Sequence, residues 1–270
     1  MFITLDRTAR AWLLGFLGVL AVLAVARLSL FLGRPVPALP ASTAAAVIRE
    51  GPGEARQVAL TFDVIEGDRI PLQVLDVLRW RHARATFFVS GPWARAHPGL
   101  VRRMAEEGHQ VETRGEQPGP PVEGPPAALA AQLQRSAAAL RDLTGQPIRF
   151  FRPPAGAAGP AVVEAARQAG LQVVLWTLDA QDWMNPGTDY VVDRVARHAR
   201  PGSIILLHAS DFARQTPRAL PGILEALAAS GLRPVALGEL LGGEGGTGPG
   251  PVPAPGPVPV PAPGGTGSNR

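Results

Sequence analysis

The chain has 270 residues, 46% of them hydrophobic, which is enough for one membrane segment, one sizeable core and some unstructured tail but not for a comfortable second globular domain. Its net charge of +4 is carried by Arg against Asp and Glu with no Lys anywhere. Arg79, Arg102, Arg141 and Arg167 are scattered along helical patterns rather than clustered among aromatics, which argues against a nucleic-acid partner. The absence of Cys excludes disulfides and thiolate metal sites, so any zinc would have to be held by His and carboxylates.

In chain order, residues 1–10 carry Arg7 and Arg10, and from Ala11 to Leu32 the chain is apolar except for Arg27 and Ser29. At helical rise about 22 residues span roughly the 30 Å hydrocarbon layer, so residues 11–32 are read as a transmembrane signal anchor. The flanking Arg residues favour a cytoplasmic N-terminus only slightly, because Arg27 and Arg34 lie at the other end. The alternative is a cleaved signal peptide, with Ala24-Val25-Ala26 resembling a small-residue cleavage site. Either way the remainder is delivered outside the cytoplasm, and the anchor reading makes the chain a single-pass protein of the cell membrane. Residues 33–53 are rich in Pro, Ala and Gly and read as a flexible tether. Residues 242–270 are a Gly/Pro-rich stretch suited to solvated polyproline II, without the apolar content to build a core.

Between these ends, residues 54–241 alternate short apolar runs with helical patterns. Val58 to Phe62, Ala85 to Val89, Ile148 to Phe151, Val173 to Trp176, Ile204 to Leu207 and Pro234 to Leu237 read as buried strands, with Gln110 to Glu112 a weaker one. Leu72 to Arg81, Ala94 to Glu107, Pro126 to Leu143, Ala161 to Ala169, Tyr190 to Ala199 and Pro217 to Ala229 read as helices. The alternation predicts a parallel α/β sheet, either closed as a barrel or open and doubly wound, with functional groups at the C-terminal ends of the strands. Several strands run into polar residues there: Asp63, Arg152, Asp179 with Asp182, and His208. A carboxylate held by Arg and an imidazole held by a second carboxylate are the parts of a base-then-acid hydrolysis.

Five segments appear in order: Thr61-Phe62-Asp63, Gly108-His109-Gln110-Val111, Arg152-Pro153-Pro154-Ala155-Gly156, Asp179-Ala180-Gln181-Asp182-Trp183 and Leu206-Leu207-His208. With the intervening Ala85-Thr86-Phe87-Phe88-Val89, they resemble the polysaccharide deacetylases that share the NodB homology domain (carbohydrate esterase 4-like), from about Gln57 to Leu241. Glu66-Gly67-Asp68, Gly91-Pro92-Trp93-Ala94 and Leu207-His208-Ala209-Ser210-Asp211, followed by Gln215-Thr216, look most similar to the sporulation-associated PdaB-type branch. The resemblance implies a distorted (β/α)7-type barrel preceded by one transmembrane helix, and hydrolysis of the N-acetyl groups of cell-envelope glycan such as peptidoglycan, usually with zinc.

Residue by residue, the resemblance makes Asp63 the general base, Arg152 its positioning cation, Asp182 the acid that orients the imidazole and His208 the general acid. It makes Trp183 and Leu206 the walls around the acetyl methyl. Three positions depart from the pattern: the family's metal ligands correspond here to Val64, Arg114 and Pro118. Val and Pro offer no lone pair and Arg only donors, so no metal cofactor is expected. His109 matches a structural His. Arg114 is either a solvated loop residue or a guanidinium standing where the metal stood. Glu66, Asp68, Glu112 and Glu116 supply oxygens near Asp63, but their spacing matches no metal motif. Two functions follow from the resemblance: a carbohydrate N-deacetylase with weak or metal-free turnover, or a catalytically inactive glycan-binding or scaffolding protein of envelope or spore-wall assembly.

Overall fold

The computed structural model describes residues 47–117, 119 and 125–242. Among these no helix is long and apolar enough to cross a membrane. The apolar run 11–32, the position Pro118 and the Gly/Pro-rich stretch from 243 onward lie outside the described residues.

The strands are β1 (Val47–Ile48), β2 (Gln57–Val64), β3 (Thr86–Ser90), β4 (Gln110–Gly115), β5 (Phe150–Phe151), β6 (Gln172–Val174), β7 (Leu178–Asp179), β8 (Ile204–His208) and β9 (Arg233–Val235). The helices are α1 (Arg69–Trp80), α2 (Gly91–Ala96), α3 (Pro98–Glu106), α4 (Pro126–Thr144), α5 (Pro160–Gln168), α6 (Thr188–His198), α7 (Thr216–Ala229) and α8 (Leu237–Leu240). The strands pair in the order β1-β6-β5-β4-β3-β2-β8-β7, with β9 also on β2, and every ladder between them is parallel. The result is a curled half-barrel of parallel strands, the form that the resemblance implies.

Alternation along each strand sorts side chains between two environments. Val58, Leu60, Phe62 and Val64 of β2, Phe87 and Val89 of β3 and Ile205 and Leu207 of β8 join the large core under the helices. The opposite set points inside the curl: Ala59, Phe88, Phe150, Val174, Ile204 and Val235 form a smaller apolar plug, capped by Leu237 and Leu240 of α8. That interior changes character along the strands. Apolar residues fill the N-terminal end, whereas Thr61 then Asp63 on β2, Glu112 then Arg114 on β4, and Leu206 then His208 on β8 carry it toward the C-terminal rim.

The sequence-based elements recur with four differences. The helix expected from Ala94 to Glu107 is two helices, because Pro98 drives His97 out of the helical region, to φ −128 and ψ 53. The strand expected from Pro234 to Leu237 stops at Val235, and Leu237 opens α8 by donating its N–H to Thr86 Oγ1 at 2.9 Å. Strands β1 and β7, two residues each, are too short to leave a periodic signal.

The fourth difference concerns the tether, since the end of the stretch expected to be flexible belongs to the sheet. Val47 and Ile48 pair with Val173 and Val174, Glu50 bridges Ser203, and Gly51 donates its N–H to Gly202 O at 2.8 Å. Residues 47–51 thus reach from the β6 edge to the start of β8. Gly202, at φ +86, is required there, because a Cβ would stand 2.4 Å from Gly51 O.

Buried Glu112 ties β4 to the chain entering β5. Its Oε2 accepts the N–H groups of Arg149 (2.8 Å) and Phe150 (2.7 Å), and its Oε1 accepts Gln110 Nε2 at 2.6 Å. Gln110 Oε1 in turn accepts the Gly238 N–H at 2.7 Å, which links the carboxylate to α8. Burial pushes the Glu112 carboxyl up to about 7 against the downward pull of these donors. A raised carboxyl stabilises the fold most below its unfolded value, and the contribution is lost as pH climbs through about 7. Glu112→Gln replaces one acceptor oxygen with donors facing donors, and urea unfolding should show a loss of about 1–3 kcal/mol.

Candidate active site

The C-terminal rim brings four of the sequence-predicted residues into two pairs and adds a fifth. Asp63, at the end of β2, is buried with both carboxylate oxygens engaged: Arg114 Nε donates to Oδ2 at 2.7 Å and Arg152 Nη1 donates to Oδ1 at 3.2 Å. Arg152 has no exposed surface, and its remaining contacts fix it in place. Nη1 also donates to Thr61 Oγ1 (2.9 Å), Nη2 donates to Leu175 O (3.1 Å), and the guanidinium lies over the Phe88 ring at 4.0 Å. Burial alone would push the Asp63 carboxyl up. The charges of Arg114, Arg152 and His208, with the Arg114 hydrogen bond, outweigh it and hold the group below the ordinary carboxylate value.

The second pair is His208 and Asp182. Asp182 Oδ1 lies 2.8 Å from His208 Nδ1, and Oδ2 accepts the His208 backbone N–H at 2.7 Å and Thr216 Oγ1 at 2.6 Å. Burial pulls the imidazole down, but the hydrogen bond to Asp182 and the charges of Asp182, Asp63 and Asp179 win, so His208 titrates above its ordinary value. Leu206 sits two residues back on the same inward face of β8, buried. Trp183 is 49% exposed, in a 3-10 turn (Asp182–Met184), with its indole nitrogen 3.5 Å from Asp179 Oδ2. It flanks the rim rather than forming a closed wall.

Arg114 is the main correction. The residues Gln110 to Gly115 are one strand, so Arg114 is not a solvated loop residue; it is 5% exposed and bound to Asp63. Val64 points into the core beneath the helices, on the face opposite Asp63. Among the described residues no group of three His, Asp or Glu is placed to hold a metal ion. Of the acids considered as an unrelated metal site, Glu112 is committed to backbone N–H groups and Glu116 is clamped by Arg95 at 3.0 and 2.6 Å. Among the described residues, therefore, these side chains do not make a zinc site. His109, pushed down to about 4 by burial and by the charges of Arg103 and Arg84, receives the Ala85 N–H on Nδ1 at 3.3 Å and packs edge-on against Phe87, a structural role.

Sequence reasoning did not anticipate the parts played by Thr61, Phe88, Leu175 and Thr216. Thr61 and Thr216 lie within segments that carried the resemblance, but nothing in their residue types announced which carboxylate or guanidinium each would hold. Beside Arg114 a cavity of about 530 Å³ opens, with Glu116, Gln132, Leu129, Phe151 and Pro154 in its walls. Its lining is mostly apolar with a few polar side chains, the usual character of a small-molecule site.

Comparison with known proteins gives a consistent picture. The family model for polysaccharide deacetylase matches residues 50–174. A peptidoglycan-N-acetylglucosamine deacetylase of Bacillus cereus is 35% identical over 195 residues, covering 71% of this chain and 91% of that protein. The solved structure of a peptidoglycan N-acetylglucosamine deacetylase with a bound N-hydroxybenzamide superposes with a TM-score of 0.71 at 26% identity, covering 77% of this chain and 99% of that one. A CE4 family pseudoenzyme from Bacillus anthracis superposes with a TM-score of 0.66 at 26% identity, covering 72% and 68%.

Two measurements test the geometry. Asp63→Asn leaves Arg114 and Arg152 buried without a counter-charge and should cost about 3–5 kcal/mol in denaturant unfolding, whereas Arg114→Met should cost less because Arg152 still neutralises Asp63. By NMR titration the His208 ring should titrate above the ordinary imidazole value, and in Asp182→Asn it should fall from there, since burial is then opposed only by the lesser charges of Asp63 and Asp179.

Proposed function

Because this chain belongs to the polysaccharide deacetylase family, we propose that it recognises N-acetylated cell-envelope glycan in the family's cleft without running metal-assisted hydrolysis there. The observation that carries this reading is the Asp63 carboxylate clamped between two guanidiniums at 2.7 and 3.2 Å. A general base works best with a pKa near the operating pH and an oxygen free to take a proton from water. Asp63 has its affinity for protons lowered and both oxygens occupied. It is better suited as the counter-ion that lets Arg114 and Arg152 remain buried. Arg114 could steady a developing negative charge, but as a permanent cation it cannot lower the pKa of a water molecule as a metal does.

The relatives supply the glycan half of the proposal. The Bacillus cereus protein is named for peptidoglycan N-acetylglucosamine, and the Bacillus anthracis structure is a family member described as a pseudoenzyme. The placement of this chain is proposed as extracytoplasmic and membrane-attached, on the apolar run 11–32 alone. A role in spore-wall assembly is proposed only on the likeness of its motifs to the sporulation-associated branch.

One observation favours a second reading, slow metal-free deacetylation. His208, oriented by Asp182 and held protonated to higher pH than a free imidazole, is still arranged as a general acid for a leaving amine. The test is glycan binding together with acetate release from oligomers of N-acetylglucosamine, with zinc added or chelated. His208→Gln is the control, since Asp63→Asn compromises the fold. Binding without acetate release, unchanged by zinc or chelator, is the expected result. Release that disappears in His208→Gln would establish the enzyme instead, and release that also disappears on chelation would reveal a metal site.

A further inference from the structure

We propose that the connection from β7 to α6, together with the first turn of α6, is a stacking platform for a second pyranose ring of the same glycan, with Met184 and Tyr190 as its specificity-determining residues. The proposal rests on the glycan reading above and extends it from one sugar to a chain of at least two.

Topology places the platform. Strand β7 runs parallel to β8, so the chain leaving it at Ala180 emerges at the same rim as Asp63 and His208, and α6 begins there at Thr188. In the sheet order β4-β3-β2-β8-β7, the cavity beside Arg114 lies on one flank of Asp63 and this connection on the other. A linear polymer crossing the rim at Asp63 therefore meets the connection next.

The surface there is apolar. Trp183, Met184 and Tyr190 are 49%, 58% and 46% exposed, and among the described residues the only other exposed large hydrophobics are Leu72 and Trp80, both on α1. One exposed hydrophobic residue is ordinary, but three within eight positions of the chain beside the rim are a concentration that calls for an apolar ligand face. The patch is also held firmly. Gln181 and Asn185, on either side of the exposed pair Trp183 and Met184, both sit at positive φ, 59 and 51. For Gln this conformation persists only where surrounding contacts over-determine it. Those contacts are present: the Gln181 N–H donates to Asp179 Oδ1 (2.7 Å), Asn185 Nδ2 donates to Phe212 O (2.8 Å) and Asn185 Oδ1 accepts the Arg214 N–H (3.1 Å). In addition Arg194 Nε donates to Asp179 O at 2.6 Å, and Gln215 Oε1 accepts the Gly187 N–H at 2.9 Å. Most polar groups of the segment are spent on fixing it, and Trp183, Met184 and Tyr190 remain exposed.

At the edge of the patch Tyr190 Oη donates to Gln181 Oε1 at 2.7 Å, and the Gln181 amide nitrogen makes no hydrogen bond among the described residues. An aromatic face with a planar amide donor at its border matches a pyranose ring, whose C–H face is apolar and whose hydroxyl rim needs donors and acceptors.

The test titrates the full-length chain with mono-, di- and trimers of β-1,4-linked N-acetylglucosamine by calorimetry. Wild-type affinity should climb from monomer to dimer. Tyr190→Ala and Met184→Ala should lose that climb, binding dimer about 5- to 10-fold more weakly with monomer unchanged. Tyr190→Phe should keep it, and all three variants should retain the wild-type melting temperature. Wild-type monomer binding with no climb, or Tyr190→Ala binding dimer as wild type does, would overturn the platform and leave the glycan reading standing. Absence of wild-type binding to every oligomer would refute both.

Discussion

The rim depends on how one buried negative charge is balanced. Asp63 is the penultimate residue of the central strand β2, which pairs with β3, β8 and β9, so its position is fixed by the sheet rather than by any loop. A lone carboxylate there would be desolvated at a cost of several kcal/mol, and the fold meets this with Arg152, just after β5, and Arg114 from β4. Arg152 is itself held by Thr61, the Leu175 carbonyl and the face of Phe88, so the carboxylate and its two cations are one packed unit. In that unit the guanidinium of Arg114 supplies positive charge at a position where the family resemblance leads one to expect a metal ligand. Asp63 and Arg152 therefore have a structural reason to be present whether or not the site turns over.

The same balance divides the rim's chemistry. Two cations on one carboxylate lower its basicity, whereas one carboxylate on a buried imidazole raises the affinity of His208 for its proton. Hydrolysis of an amide needs both halves in working order, the first to generate a nucleophile and the second to protonate the amine. Here the second half is well formed and the first is committed to ion pairing. A metal ion contributes several kcal/mol to such a reaction through charge stabilisation and water activation, and each 1.36 kcal/mol is about tenfold in rate. A guanidinium can reproduce only the charge.

The sequence disclosed the rim more readily than it disclosed Arg114, and the reason lies in the two faces of a parallel strand. Strands β2 and β8 are mostly apolar before their C-terminal ends, so Asp63 and His208 stood out as charged or titratable ends of hydrophobic runs. Strand β4 instead turns Gln110, Glu112 and Arg114 into the curl, where each finds a partner, and its pattern of alternating polar and charged residues lacks the apolar signal by which strands are recognised. Arg114 was consequently open to being read as a loop residue. Its counterpart error was the tether, where Val47 and Ile48 carry too little sequence to reveal that they pair with β6. In both places the deciding contacts are long-range, between residues far apart in the chain, and composition within a short window does not contain them.

His208 and the aromatic display share one scaffold. Asp182 accepts hydrogen bonds from the His208 ring and backbone and from Thr216, and Trp183 follows it directly in the same 3-10 turn. Removing Asp182 would therefore loosen the imidazole and the apolar surface together. A residue with that double attachment is retained by a protein that only binds as firmly as by one that hydrolyses, because leaving a buried imidazole and hydroxyl without their acceptor costs stability in either case. The Asp182–His208 pair is thus compatible with a protein that only binds, although its arrangement is also the one a general acid needs. The weight falls on Asp63, the one residue of the rim whose surroundings differ between a base that must take a proton and a counter-ion that must not.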